Sequence, residues 1–138
     1  RGEGEMKAVA AKITRGLNIG SNLLASDNSG ARIVRITGVK HGKSRKGRQQ
    51  TARVGDMVKV SVQAGKPDMI GIVFDAIVIR QRKSYRRLTG EHIMFEDNAV
   101  ALMKDDKGNP KGTQIKGVMA REAADRWSVA AKIAQFVL

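Results

Sequence analysis

The chain contains no cysteine, two prolines among its 138 residues and five aromatic residues. Without cysteine there are no disulfides, no thiolate chemistry, no zinc ribbon and no iron–sulfur centre, which leaves a mild lean toward the cytosol. No apolar run approaches the roughly 18 residues of a membrane-spanning helix, so no span is expected. No apolar segment follows Arg1 to Glu5, and no secretory signal is expected either. With 15 glycines against two prolines, the turns are glycine turns. The aromatic residues are Phe74, Tyr85, Phe95, Trp127 and Phe136, and of these only Tyr85 lies in a basic stretch. Single-strand binders stack bases on several aromatics, so that mode is poorly supported. Acids are scarce too: 13 Asp+Glu stand against 26 Lys+Arg, a formal net charge of +13. That excess points to a polyanion, most commonly nucleic acid.

What remains reads as one domain. The length suits a single core, and 41% apolar content argues against wholesale disorder. Short β-rich runs are expected at Asn22 to Ala25, Arg32 to Val39, Met57 to Gln63, Ile70 to Arg82, Ile93 to Phe95 and Ala99 to Met103. In the third run Val58, Val60 and Val62 share one face while Lys59, Ser61 and Gln63 share the other, a half-buried strand. Ala76 to Ile79 is apolar on both faces, a buried strand with a basic exit. Asp27 to Gly30 and Asp106 to Asn109 are turn signals. Past Gly117 the period changes: Ala120, Ala123, Ala124, Trp127, Ala131, Ala134 and Val137 keep a 3–4 spacing, one or two amphipathic helices, with Ser128 a possible cap for the second. The expected fold is mainly β, a small closed β-barrel with a helical tail, since closure removes sheet edges. Residues 1–6 form an N-terminal extension, 7–118 the barrel and 119–138 the tail.

The charge is concentrated. Arg32, Arg35, Lys40, Lys43, Arg45, Lys46, Arg48 and Arg53 stand in one stretch without an acid. Arg80, Arg82, Lys83, Arg86 and Arg87 stand in another. Half of all the bases thus lie in two acid-free segments, each entered directly from a strand. A solvated loop explains one such run, but two in one chain favour an anionic partner. Guanidinium suits bidentate contact with phosphate. With few aromatics, phosphate and shape contacts to folded RNA or duplex are the expected mode. His41, among the bases, is read as a further RNA-contacting or surface residue. The Tyr85 ring more often packs against its neighbours than stacks on a base.

Catalytic patterns are weak. Gly42-Lys43-Ser44 resembles the end of a phosphate-binding loop, but the glycine required five positions earlier is Thr37, and no apolar helix follows. Glu96 and Asp97 are adjacent carboxylates beside apolar strands; in an extended chain they point apart, and a corner or capping role fits better. His41 and His92 lack ligand spacing, and no nucleophile stands beside a base. No enzyme activity, metal or cofactor is expected.

Ala76-Ile77-Val78-Ile79-Arg80-Gln81-Arg82-Lys83-Ser84-Tyr85-Arg86-Arg87, then Gly90 and Phe95-Glu96-Asp97-Asn98-Ala99, resembles the signature of the universal large-subunit ribosomal protein L-fourteen family. Asp27 to Arg32, Val54 to Asp56, Pro110 to Thr113, and Gly117 with Ala120 to Glu122 match in the same order. Gln81 to Tyr85 and the tail beyond Glu122 look like the archaeal and eukaryotic cytosolic branch. Leu88-Thr89-Gly90 and Val118 depart from the family's usual prolines. The resemblance implies a five-stranded β-barrel with a projecting β-ribbon and short C-terminal α-helices. It implies a cytoplasmic ribosomal constituent without homo-oligomer or membrane, bound to large-subunit rRNA and meeting small-subunit rRNA at an intersubunit bridge. It also implies contact with a neighbouring protein of the L-twenty-four-e type and with the anti-association initiation factor six. By position, Arg80, Arg82, Lys83, Arg86 and Arg87 are the first RNA-binding candidates. The Lys40 to Arg48 segment corresponds to the basic ribbon. The tail with Arg121, Trp127 and Phe136 corresponds to a protein-contact surface, though burial in the protein's own core suits either aromatic equally well. A free-standing barrel module that binds RNA, such as a translation factor or RNA chaperone, is the alternative.

Overall fold

The computed structural model describes residues 11–12, 15–40 and 51–138. In chain order these form β1 (Ala11–Lys12), β2 (Leu17–Asn18), β3 (Asn22–Ala25), β4 (Ala31–Val39), β5 (Thr51–Ala52), β6 (Met57–Gly65) and β7 (Val73–Arg80). There follow β8 (Tyr85–Arg87), β9 (His92–Ile93), β10 (Ala99–Met103), β11 (Ile115–Met119), α1 (Arg121–Arg126), α2 (Ser128–Lys132) and β12 (Ala134–Val137).

The expected barrel is present. β10, β3, β4, β6 and β7 close on themselves in that order. Neighbours are antiparallel except at the seam, where β10 runs parallel to β3 and pairs only Ala99 with Leu24 and Val100 with Ala25. Val58, Val60 and Val62 of β6 face the core with at most 1% exposure, while Gln63 is exposed. β7 is apolar on both faces for a reason its neighbours supply: one face fills the barrel, and α1 and β11 pack against the strand from outside. Ala76, Ile77, Val78 and Ile79 are fully buried.

Several details differ from the expectations above. A strict period of two would put Arg32 of β4 on the same face as Val34 and Ile36. The pairing with β6 shifts register between Ala31 and Ile33 and again before Val34, which changes the phase. Arg32 and Arg35 therefore both face outward while Ala31, Val34 and Ile36 are buried. β7 begins at Val73, not Ile70, because residues 67–71 form a turn that Gly71 completes at φ 83°. β9 keeps only Ile93 of the expected Ile93 to Phe95 run and begins one residue earlier, at His92.

The helical spacing does not hold to the end of the chain. α2 stops at Lys132, and Ala134–Val137 pairs in parallel with β11, a strand that no sequence pattern marked. Ser128 opens α2 but does not cap it; Trp127 occupies the cap position, with no side-chain cap hydrogen bond. The Asp106 to Asn109 turn is anchored one residue earlier. The Asp105 carboxylate accepts from the Lys107 backbone N–H at 3.0 Å and from Asn109 Nδ2 at 2.9 Å. Those bonds, led by Asn109, hold its carboxyl below the ordinary value.

Candidate nucleic-acid interface

The basic exit of β7 sets exposed cations between two anchored ones. Arg80, the last residue of β7, is 9% exposed and uses all three guanidinium nitrogens inside the chain. Nε donates to Asp97 Oδ1 at 2.8 Å, Nη1 to the Val118 carbonyl at 2.9 Å and Nη2 to Ser26 Oγ at 2.6 Å. Gly117 makes room for this: it sits at φ 75°, and a Cβ there would lie 2.8 Å from Arg80 Nη1. Next in the chain, the buried Gln81 accepts from the Val54 N–H at 3.0 Å and donates to the Lys83 carbonyl at 3.0 Å. The Arg82 backbone N–H is fixed by Asn98 Oδ1 at 2.7 Å.

β8 carries the second anchor. Tyr85 is 1% exposed, and its hydroxyl donates to Glu122 Oε1 at 2.5 Å. Arg87 donates from Nε to Glu122 Oε2 at 2.8 Å and from Nη2 to the Leu138 carbonyl at 2.6 Å. Burial works against the Glu122 charge, but the bonds from Arg87 and Tyr85 outweigh it and hold the carboxyl below its ordinary value. Burial, then the bond to Glu122, pushes the Tyr85 phenol well above its usual range. Burial also opposes the Arg87 charge, yet Glu122 keeps the guanidinium firmly protonated. Between these anchors Arg82, Lys83 and Arg86 are exposed.

The expected set of RNA candidates is thereby divided. Arg82, Lys83 and Arg86 face solvent, as do Arg32 and Arg35 on β4. Arg80 and Arg87 hold the fold together, and Tyr85 packs its ring rather than presenting it to a base. Lys40 is half-buried, its Nζ 3.9 Å from Asp75 Oδ1, where Lys59 also approaches to 2.9 Å. His41, Lys43, Arg45, Lys46 and Arg48 lie outside the described residues. In the C-terminal region Trp127 belongs to the core, 3% exposed, with Nε1 donating to the Gly55 carbonyl at 2.6 Å. Arg121 is exposed, and Phe136 on β12 is 61% exposed. Glu96 and Asp97 do form a corner, and Asp97 serves as the partner of Arg80.

The segments that carry the resemblance meet one another in space. Asn28 Oδ1 accepts the backbone N–H groups of Thr113 and Gln114 at 2.8 and 3.1 Å, which ties Asp27 to Gly30 to Pro110 to Thr113. Arg126 Nη1 reaches Asp56 Oδ1 at 2.9 Å, tying the Val54 to Asp56 turn to α1. Sequence reasoning passed over other exposed bases, among them Arg15, Lys104, Lys107 and Lys116. Lys107, Lys111, Lys116 and Arg121 also stand in a stretch without an acid, but they are spread over 15 residues and do not cluster as the other two runs do. Among the described residues, no group of three His, Cys, Asp or Glu side chains could hold a metal ion.

Fold and surface together define a small basic β-barrel whose outward cations include Arg32 and Arg35 on β4 and Arg82, Lys83 and Arg86 beyond β7. The family model described as ribosomal protein L14p/L23e matches residues 16–138. The large ribosomal subunit protein uL14 of Nanoarchaeum equitans is 52% identical over 133 residues, covering 96% of this chain and 100% of that protein. The proteins of the same name from Thermoplasma acidophilum and Methanothrix thermoacetophila are 47% and 45% identical, each over 96% of this chain and 100% of the relative. The chain belongs to the ribosomal protein L14p/L23e family, as an archaeal-type member. It is a structural protein of the large ribosomal subunit, not an enzyme, and works in the cytoplasm.

Proposed function

We propose that the protein binds large-subunit rRNA through the exposed cations at the exit of β7 and on β4, and so helps shape the face that meets the small subunit at an intersubunit bridge. The observation that carries this reading is the placement of Arg82, Lys83 and Arg86: three exposed cations on a segment that Arg80 and Arg87 pin at both ends. A pinned segment presents its charges at low ordering cost, which favours phosphate contact. Lys40, His41, Lys43, Arg45, Lys46 and Arg48 are assigned RNA contacts as well in this reading. The protein contacts, a neighbour of the L-twenty-four-e type and the anti-association initiation factor six, are assigned to the C-terminal region with Arg121 and the exposed Phe136. The whole chain acts as one domain.

The test is the salt dependence of binding to large-subunit rRNA stripped of protein. Replacing Lys83 and Arg86 with glutamine is expected to flatten the slope of log affinity against log salt by about 0.7–0.9 for each phosphate no longer neutralised. An unchanged slope removes those side chains from the interface. On a sucrose gradient at moderate salt the protein is expected to travel with the large subunit. Mostly slow-sedimenting protein would instead indicate a free-standing RNA-binding module.

A further inference from the structure

The barrel closes at its weakest point beside an open cleft. The parallel seam between β3 and β10 holds two residue pairs, and the chain before Ala99 turns through the Glu96 to Asn98 corner. The gap has a volume of about 290 Å³, and its lining includes Asn22, Leu24, Ile33, Arg82, Glu96 and Asn98. Leu24, 44% exposed, supplies aliphatic surface with no apolar cover. Arg82 stands at one rim, its backbone held by Asn98. Arg35 lies just outside the lining, pairs in register with Asn22 and donates from Nε to Asn22 Oδ1 at 3.4 Å. The two acid-free segments, far apart in sequence, thus each bring a cation to one cleft, Arg82 in its lining and Arg35 beside the lining residue Asn22.

We propose that this cleft receives a single unstacked RNA base, with Arg35 and Arg82 holding the phosphates on either side. The inference rests on the RNA-binding reading above and adds the feature of RNA that is recognised. The volume lies at the small end of ligand sites, room for one base and little more. Sequence-specific RNA recognition takes splayed-out bases, covers their faces and reads their edges by hydrogen bonds. Leu24 and Ile33 cover a ring face, and the guanidinium of Arg82 is placed to stack or to grip a phosphate. The amides of Asn22 and Asn98 offer edge contacts. Glu96, unlike Asp97, is not taken up by Arg80 and accepts N–H donors, which ranks guanine first among the bases.

The test is a titration of the full-length protein, followed by NMR, with the four nucleoside 5′-monophosphates and separately with inorganic phosphate. Guanosine monophosphate is expected to give saturable shifts at the Leu24 methyls and the side-chain amides of Asn22 and Asn98, which inorganic phosphate does not reproduce. Shifts confined to Arg82, Lys83 and Arg86, the same with inorganic phosphate, overturn the base site and leave general phosphate binding standing. Leu24→Ala, which changes no charge, is expected to weaken binding to stripped large-subunit rRNA by about fivefold, a modest share of a base-stacking contact, with the salt slope intact. Wild-type affinity in that variant also overturns the base site. Failure of the RNA-binding reading itself is separate and shows as wild-type protein with no salt-dependent affinity for that RNA.

Discussion

Arg86 and Arg87 are adjacent, identical in chemistry and opposite in role. The Arg87 guanidinium lies against a Glu122 carboxylate that is only 7% exposed, whereas Arg86 faces solvent. Removing one partner of a buried pair leaves the other charge uncompensated, so Arg87→Gln is expected to cost about 3 kcal/mol of stability in urea unfolding. Arg86→Gln is expected to stay within about 0.5 kcal/mol, as surface substitutions do. Equal losses would mean that Arg86 is also structural. Glu122 adds a pH dependence. A carboxyl held below its ordinary 4.5 in the folded state stabilises above that value and loses its contribution as pH falls through the lower folded one. Asp27 runs the other way: burial raises its carboxyl above the ordinary 3.8, against the bonds from Ser29 and Leu102, so its contribution grows as the solution is acidified. Comparing wild type with Glu122→Gln in urea between pH 6 and pH 3 isolates the first effect. The advantage of the wild type is expected to shrink toward acid, and a constant difference would dismiss the ion pair as its source.

At the scale of elements, the barrel depends on how closely β4 and β6 approach where they begin and end. Gly65 ends β6 at φ 146°, and a Cβ there would stand 2.6 Å from the Gly30 carbonyl oxygen and 2.9 Å from Ala31 Cα. Backbone atoms cannot rotate away as side chains do. Gly65→Ala is therefore expected to destabilise by more than the ~1 kcal/mol that a left-handed conformation alone costs an alanine. Thermal unfolding would read this as a lowered Tm, and an unchanged Tm would show that the hairpin end relaxes freely. The strands themselves were legible: alternation in β6 and double-sided burial in β7 are properties of the residues. The bulge in β4 was not, because register is decided by the partner strand, which the local pattern does not contain. Nor was β12 legible. Ala131, Ala134 and Val137 keep a helical spacing, yet the Ile133 N–H turns back to Ala130 and Ala131 and the chain leaves to pair with β11. In a run this short, tertiary pairing outweighs periodicity. The candidate site was legible as charge but not as role. Acid-free runs picked out Arg82 and Arg86, and both are exposed. Only the contacts of Asp97 and Glu122, which lie 17 and 35 residues from the arginines they hold, mark Arg80 and Arg87 as anchors.

For the whole molecule, the same net charge of +13 acts on folding and on binding with opposite salt dependence. Free in solution, the outward cations repel one another, and this repulsion opposes the compact state. Salt screens it over about 10 Å at 0.1 M, whereas the partly buried pair of Arg80 with Asp97 and the buried pair of Arg87 with Glu122 are screened less. Raising salt from about 0.05 to 0.5 M is therefore expected to raise the Tm of the isolated protein. Over the same range the affinity for large-subunit rRNA is expected to fall steeply, since each phosphate contact releases a counterion that salt returns. Substituting Lys83 and Arg86 with glutamine ties the two effects to one surface: it should flatten both dependences at once. A Tm that falls with salt would mean that exposed attractive pairs dominate the folded state. A double variant that flattens binding alone would place the destabilising repulsion elsewhere on the surface.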